Sequence, residues 1–263
     1  MKNIRLILSD YLRSWVLWLH RKAITRSRLV HVERVMRMRK RLSSFFNVID
    51  VLTPLDFVYR SRGYQLRGEH SEELCGLFDS SVQMGTWAID QRGAKLLWEW
   101  LEKERPSHIF EFGSGVSTLV IGAWIKQSGT LGTSCVSIDQ NQHDAEKTNA
   151  WLKRVGLSDF VNVYHVPIDG AGKYQFDEIN HITSGTEFDF VFVDGPAGPD
   201  GCRRHTLPAL KSHLSDKGVW FLHDALRDGE LDIVQQWQRD DIFRTKGIYV
   251  VGQGLAMGEW GAE

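Results

Sequence analysis

At 263 residues, 42% of them hydrophobic, the chain has enough apolar material for one large α/β core and too little length for two. The net charge of −1 hides an asymmetry: residues 1–41 hold twelve Lys/Arg against Asp10 and Glu33, a local net of +10, which leaves −11 on the remainder. Three cysteines, Cys75, Cys135 and Cys202, show neither metal-ligand spacing nor a disulfide framework, so a reducing compartment is expected.

The basic N-terminal part comes first in the chain. Residues 4–19 are rich in Leu, Ile and Trp, but Arg5, Asp10 and Arg13 interrupt them, and the stretch is too short and too charged for a membrane span. It is followed by His20-Arg-Lys22 instead of a small-residue cleavage site, which argues against a cleavable signal. An amphipathic helix lying on a surface fits better, and Leu29, Val32, Val35, Met36 and Leu42 carry the spacing of a second one. Three roles stay open for this arm: docking on an anionic membrane, packing on the acidic remainder or on a second subunit of a homo-oligomer, and binding nucleic acid. Nucleic acid ranks last, because the stretch has no zinc-finger or RNP pattern. A connector broken by Asp50, Pro54 and Gly63 follows. The expected division is therefore a basic helical arm over 1–46, a connector over 47–86 and a catalytic domain over 87–263. The expected location is the cytoplasm, peripheral at the inner face of a membrane if the arm docks there.

From residue 108 onward the pattern changes to short apolar runs alternating with helical periodicity. His108-Ile-Phe-Glu-Phe112 reads as a buried strand that breaks into Gly113-Ser-Gly115 and opens into an apolar helix at Val116. Such a turn lets a ligand approach the backbone and face the free amides of the helix N-terminus. It does not fit a pyrophosphate: a dinucleotide fingerprint needs a third glycine where Thr118 stands, and the P-loop Gly-Lys-Ser/Thr is absent. Residues 133–138 form a second strand ending in Asp139, where α/β nucleotide sites grip ribose hydroxyls, or where the same side chain would cap the helix predicted from Gln142 to Val155. The third strand is predicted to end near Ile168 and Asp169, weaker candidates for contact with a base.

Residues 188–193 and 218–222 read as two more buried parallel strands, ending in Asp194-Gly-Pro and His223-Asp224. A helix is predicted between them over 204–214. Residues 243–251 and 254–260 are expected to close the chain as an antiparallel hairpin. The order implies a doubly wound, mostly parallel seven-stranded sheet with a C-terminal antiparallel hairpin and an N-terminal helical extension. Ligands bind such sheets beyond the carboxyl ends of the strands, where Glu111, Asp139, Asp194 and Asp224 fall. Most of the ten tryptophans, Trp98 and Trp151 among them, are expected to pack in the core.

The Glu111-x-Gly113-x-Gly115 form and this element order resemble the class I S-adenosylmethionine (SAM) dependent methyltransferases over residues 87–260. Within them Phe190-Val-Phe-Val-Asp-Gly-Pro196, Arg203-Arg204 and the His223-Asp-x-x-Arg227 element are most similar to sugar O-methyltransferases of the glucuronoxylan methyltransferase kind. The resemblance implies SAM as cofactor, held by Glu111, Gly113, Ser114, Gly115, Ser117, Thr118, Asp139, Gln140 and Asp169. It implies transfer of a methyl group to a hydroxyl of a sugar or glycan. Asp194, His223 and Asp224 are the catalytic candidates, although adjacent strand residues point to opposite faces and only one of His223 and Asp224 should aim into the site. Arg203, Arg204 and Arg227, with His205, are candidates for holding an anionic acceptor. A divalent cation on Asp194 and Asp224 is also open, but Ala225 occupies the position where catechol-type enzymes carry an asparagine ligand. Alternatives are a scaffold subunit that has lost catalysis, a small-molecule catechol-type O-methyltransferase and, least favoured, an NAD-dependent oxidoreductase.

Overall fold

The computed structural model describes residues 88–261, apart from 184, 226, 240, 241 and 250–252. The expected arm and connector lie outside the described residues. Along the chain run α1 (Gln91–Glu104), β1 (His108–Phe112), α2 (Val116–Ser128), β2 (Ser134–Asp139), α3 (Gln142–Val155), β3 (Val161–His165), α4 (Phe176–Thr183), β4 (Phe188–Val193), β5 (Leu214–His223), α5 (Asp228–Arg239), β6 (Phe243–Tyr249) and β7 (Leu255–Trp260). The strands form one sheet in the order β3-β2-β1-β4-β5-β7-β6, with β7 antiparallel to both neighbours and the other pairings parallel. The doubly wound sheet with its C-terminal antiparallel pair is as the residue pattern implies. Among the described residues, no helix is long and apolar enough to cross a membrane.

Period-two alternation explains the layering. Phe110, Phe112, Val191, Val193, Trp220 and Leu222 face one core, which receives Ile179 of α4 and Leu231, Val234 and Trp237 of α5. Ile109, Phe190, Phe192, Val219 and Phe221 face the other, packed against α1, α2 and α3. Both faces of the central strands are covered, so these strands read as near-continuous apolar runs. Helix α2 is buried from Val116 to Ile125 and has no polar face, because the sheet and its neighbouring helices enclose it. Asp90 caps α1 by accepting from the Gly93 amide at 2.7 Å, and Asn141 caps α3 through the His143 amide at 3.0 Å. The capping role considered for Asp139 thus belongs to Asn141.

One predicted element is corrected. Residues 204–214 do not form one continuous helix: the segment is broken into single helical turns at Cys202–His205, Thr206–Ala209 and Lys211–His213. Pro208 sits within it and supplies no amide for a continuing helical ladder. Those turns carry Arg203 inward instead of leaving it on a helix surface.

Candidate active site

The cleft of about 320 Å³ at the carboxyl ends of the strands is lined by Gly113, Ser114, Gly115, Ser117, Asp139, Gln140, Asp194 and Gly195, and by Asp144, Lys147, Thr148 and Trp151 of α3. Its floor depends on two glycines touching backbone to backbone. Gly113 has φ +86°, and a Cβ there would lie 2.5 Å from the Gly195 nitrogen; a Cβ on Gly195 would lie 2.7 Å from Gly113. The contact is tied by Asp194 and Gly195 amides donating to the Phe112 carbonyl at 2.7 and 2.6 Å, and by the Gly113 amide donating to Ile138. This brings the ends of β1, β2 and β4 together. Above Gly115 the space is open: a Cβ would meet nothing within 4 Å.

Asp139 ends β2 and accepts from the Ser114 amide and hydroxyl at 2.9 and 2.8 Å and from the Asn141 amide at 2.9 Å. Three donors hold it beside the cleft with acceptor capacity left over. Gln140 bridges the cleft wall, donating to the Ala197 carbonyl and accepting from the Tyr174 hydroxyl, each at 3.3 Å.

Glu111 and Thr118 lie elsewhere than the sequence reading placed them. Neither lines the cleft, and both are fully buried beneath the turn. The Thr118 hydroxyl donates to Glu111 at 2.5 Å and accepts from the Gly115 amide at 2.8 Å, while Ser137 donates to the same Glu111 oxygen at 2.7 Å. Desolvation raises the Glu111 carboxyl to about 7 in spite of these hydroxyls. Strand alternation is the reason: Glu111 shares the face of Ile109, which packs under α2. Asp169 is also displaced. It is exposed beyond β3 and accepts from the Ala171 and Lys173 amides of its own turn at 2.8 and 2.9 Å. Neither it nor Ile168, which bridges to Tyr174, lines the cleft. In their place α3 supplies Asp144, Lys147, Thr148 and Trp151, a one-sided stripe at helical spacing; Trp151 packs against the α1–α3 core, as expected, and also borders the cleft.

At Asp194, a side chain that lines the cleft, His223, Asp224 and Arg203 converge from positions that do not themselves line it. Asp224 has φ +57°, an unusual value for a non-glycine residue, and this turn breaks the strand alternation after β5. Both His223 and Asp224 therefore face Asp194, contrary to the expectation that only one could. His223 Nδ1 lies 2.7 Å from Asp194 Oδ1 and 3.5 Å from Asp224 Oδ1. Burial would raise the Asp194 carboxyl, but His223, Arg203 and Arg227 outweigh it and hold it below the usual carboxylate range. An ionised carboxylate only accepts, so Nδ1 carries the proton. Burial would lower the His223 imidazole, yet Asp194 and Asp224 outweigh it and raise it.

Arg203 is 4% exposed, and its Nη2 sits 3.2 Å from Asp194 Oδ1 and 3.2 Å from Asp224 Oδ2 while Nη1 donates to the His223 carbonyl at 2.7 Å. It is thus a buried strut and not a surface group for an anionic acceptor. Arg227 pairs with Asp200 at 2.8 Å, Asp224 at 3.4 Å and Glu230 at 3.4 Å, and donates to the Gly198 carbonyl. Arg204 and His205 remain exposed. Ligand atoms of Asp194, His223 and Asp224 lie within 4.8 Å of one another, a grouping able to hold a metal ion, and Ala225 is fully buried with no ligand to add.

Residues 110–225 match a family model described as a methyltransferase domain. Similar solved structures include an O-methyltransferase from Bacillus cereus in complex with S-adenosylhomocysteine (SAH), at 14% identity over 77% of this chain and 95% of that one, TM-score 0.54. They also include the O-methyltransferase TomG of Streptomyces achromogenes, described as involved in tomaymycin synthesis and solved with SAM, at 15% identity over 78% and 96%, TM-score 0.52. A third is the SAH-bound Podospora anserina methyltransferase PaMTH1, at 17% identity over 73% and 86%, TM-score 0.52. These likenesses establish the shared fold. No curated protein matches the sequence.

Proposed function

We propose that the domain is a SAM-dependent O-methyltransferase acting on a hydroxyl of a sugar or glycan. The observation that carries the transfer chemistry is the Asp194–His223 pair, whose Asp194 lines the same cleft as the glycine turn and the strand-end Asp139. SAM fits the cofactor wall in kind: Asp139 keeps acceptor capacity for ribose hydroxyls, the start of α2 offers free amides, and the space above Gly115 is open. SAM supplies an electrophilic methyl on a sulfonium. Ser114, Ser117 and Gln140 border the same cleft and would position it.

The chain's own work is to orient the acceptor hydroxyl and take its proton. A neutral hydroxyl is a poor nucleophile, and a positioned base contributes about 10²–10⁴-fold. His223 Nδ1 is engaged by Asp194, which fixes the tautomer and leaves Nε2 as the free lone pair of the neutral ring. Asp194 then stabilises the imidazolium as the proton arrives. Asp224 and Arg227 stand beside this pair and would hold neighbouring hydroxyls. The sugar reading is supported by the His223-Asp-x-x-Arg227 element and by this density of hydrogen-bonding groups. The description of TomG favours a small-molecule alcohol as the second reading. Docking of the arm on an anionic membrane, or its packing in a homo-oligomer, belongs to the same proposal and rests on its charge.

Transfer of labelled methyl from SAM to a panel of glycans, monosaccharides and aromatic alcohols tests this reading. Label entering a carbohydrate hydroxyl is expected. Label confined to aromatic alcohols would replace the acceptor class, and a protein whose melting temperature ignores SAM and SAH would remove the cofactor assignment.

A further inference from the structure

We infer that Arg203 is the resident cation of this site, standing where a metal-dependent enzyme would need a divalent ion, and that the cluster of Asp194, His223 and Asp224 operates without metal because of it. The inference rests on the methyltransferase reading above and adds a positioning residue to it.

The geometry is specific. Three groups bring ligand atoms within 4.8 Å of one another, which taken alone is a metal-binding set. One guanidinium nitrogen already lies 3.2 Å from an oxygen of each carboxylate, and the adjacent nitrogen is anchored at 2.7 Å on the His223 backbone carbonyl. That second anchor holds the fork between the two carboxylates from behind, so the guanidinium cannot swing away without losing a buried hydrogen bond. Asp194 Oδ1 is occupied twice over, by Arg203 and by His223 Nδ1. A divalent ion would add two charges to carboxylates already matched by Arg203 and Arg227. Beyond Asp194, His223 and Asp224 no further side-chain oxygen is supplied at the next position, because Ala225 follows Asp224.

The sequence places Arg203 only nine residues after Asp194, on the turns that replace the expected helix. A planar, permanently charged fork suits two carboxylates from two different strands, which a lysine ammonium would satisfy less well. Arg203 acts through Asp194 and Asp224: it sets the distance between them, and thereby the side of Asp194 on which His223 is held.

The test is Mn²⁺ binding by the full-length protein, read from loss of the free-ion electron paramagnetic resonance signal. Wild type and Asp194→Asn should bind Mn²⁺ equally weakly. Arg203→Ser, which vacates the space and leaves the three ligands, should bind at least tenfold more tightly, and Arg203→Ser with Asp224→Asn should lose that gain. A melting-temperature rise with SAH reports folding and cofactor binding for each variant, so failure of the SAM reading shows as loss of that response in wild type and is distinct from the Mn²⁺ result. Arg203→Gln serves as the second variant should the serine form not fold, with the same gain expected. The inference is overturned if wild type binds Mn²⁺ through a site that Asp194→Asn removes, or if a folded Arg203 variant gains no Mn²⁺ binding.

Discussion

On the β1–α2 side of the cleft, the carboxylate in the glycine motif is fully buried, held by two hydroxyls and raised to about 7. On the β4–β5 side, Asp194 and Asp224 stay under two guanidiniums and an imidazole, and Asp194 is held below the usual carboxylate range. The first wall is stiffened by hydroxyl bonds and close backbone contact, and it presents amides and a ribose-type acceptor. The second is stiffened by ion pairs among residues far apart in sequence, and it presents proton-transfer groups. On the proposed function the contrast separates a part that would hold the cofactor from a part that would act on the acceptor, so substitutions in the two should fail differently.

The largest effect should come from Gly113→Val, which forces a side chain at φ +86° into the Gly195 backbone. The expected outcome is loss of any melting-temperature response to SAH, together with destabilisation of about 3 kcal/mol or more. A variant that melts like wild type and still responds to SAH would show that the two glycines are not the floor of the site.

Asp194→Asn should leave the SAH response intact while methyl transfer falls by about 10²–10⁴-fold, because the amide cannot hold the imidazolium. Asp224→Asn should fall less, since its carboxylate stands 3.5 Å from His223 whereas Asp194 stands at 2.7 Å. Equal loss of SAH binding and transfer in Asp194→Asn would erase the division between the two walls.

Glu111 makes a smaller, pH-dependent contribution. Its folded-state pKa is raised from 4.5 to about 7, so the folded chain keeps a proton that the unfolded chain releases within that window. Stability should therefore decline as pH rises from about 4.5 to about 7 and level off above it, by about 3 kcal/mol in all. Urea melts at pH 5 and pH 8 should show this slope in wild type and a flatter one in Glu111→Gln. An unchanged slope in the variant would place the titrating group elsewhere.

The parallel strands, the glycine turn, Asp139 and the α3 boundaries were all readable in the sequence. Each rests on short-range physics: apolar alternation, a positive-φ glycine and helical periodicity. The same local rules misplaced Glu111, because its type suggested a ligand while its parity in β1 directs it into the core. They also misplaced Arg203, because surface exposure is the usual fate of arginine and nothing local signals a buried carboxylate pair. Asp224 was the hardest to read. Its left-handed backbone, which lets His223 and Asp224 face the same side, is a property of the folded strand end that aspartate tolerates but does not by itself announce.

The sequence by itself determined the fold class and the position of the glycine turn, since hydrophobic periodicity and glycine placement act within a few residues. Only the tertiary structure decided the acceptor side. Asp194, Arg203, His223, Asp224 and Arg227 become one charge network only when β4, β5 and the turn after β4 are packed together. Which carboxylate is bridged, which arginine is buried and whether a cation is already in place are settled by distances across that packing.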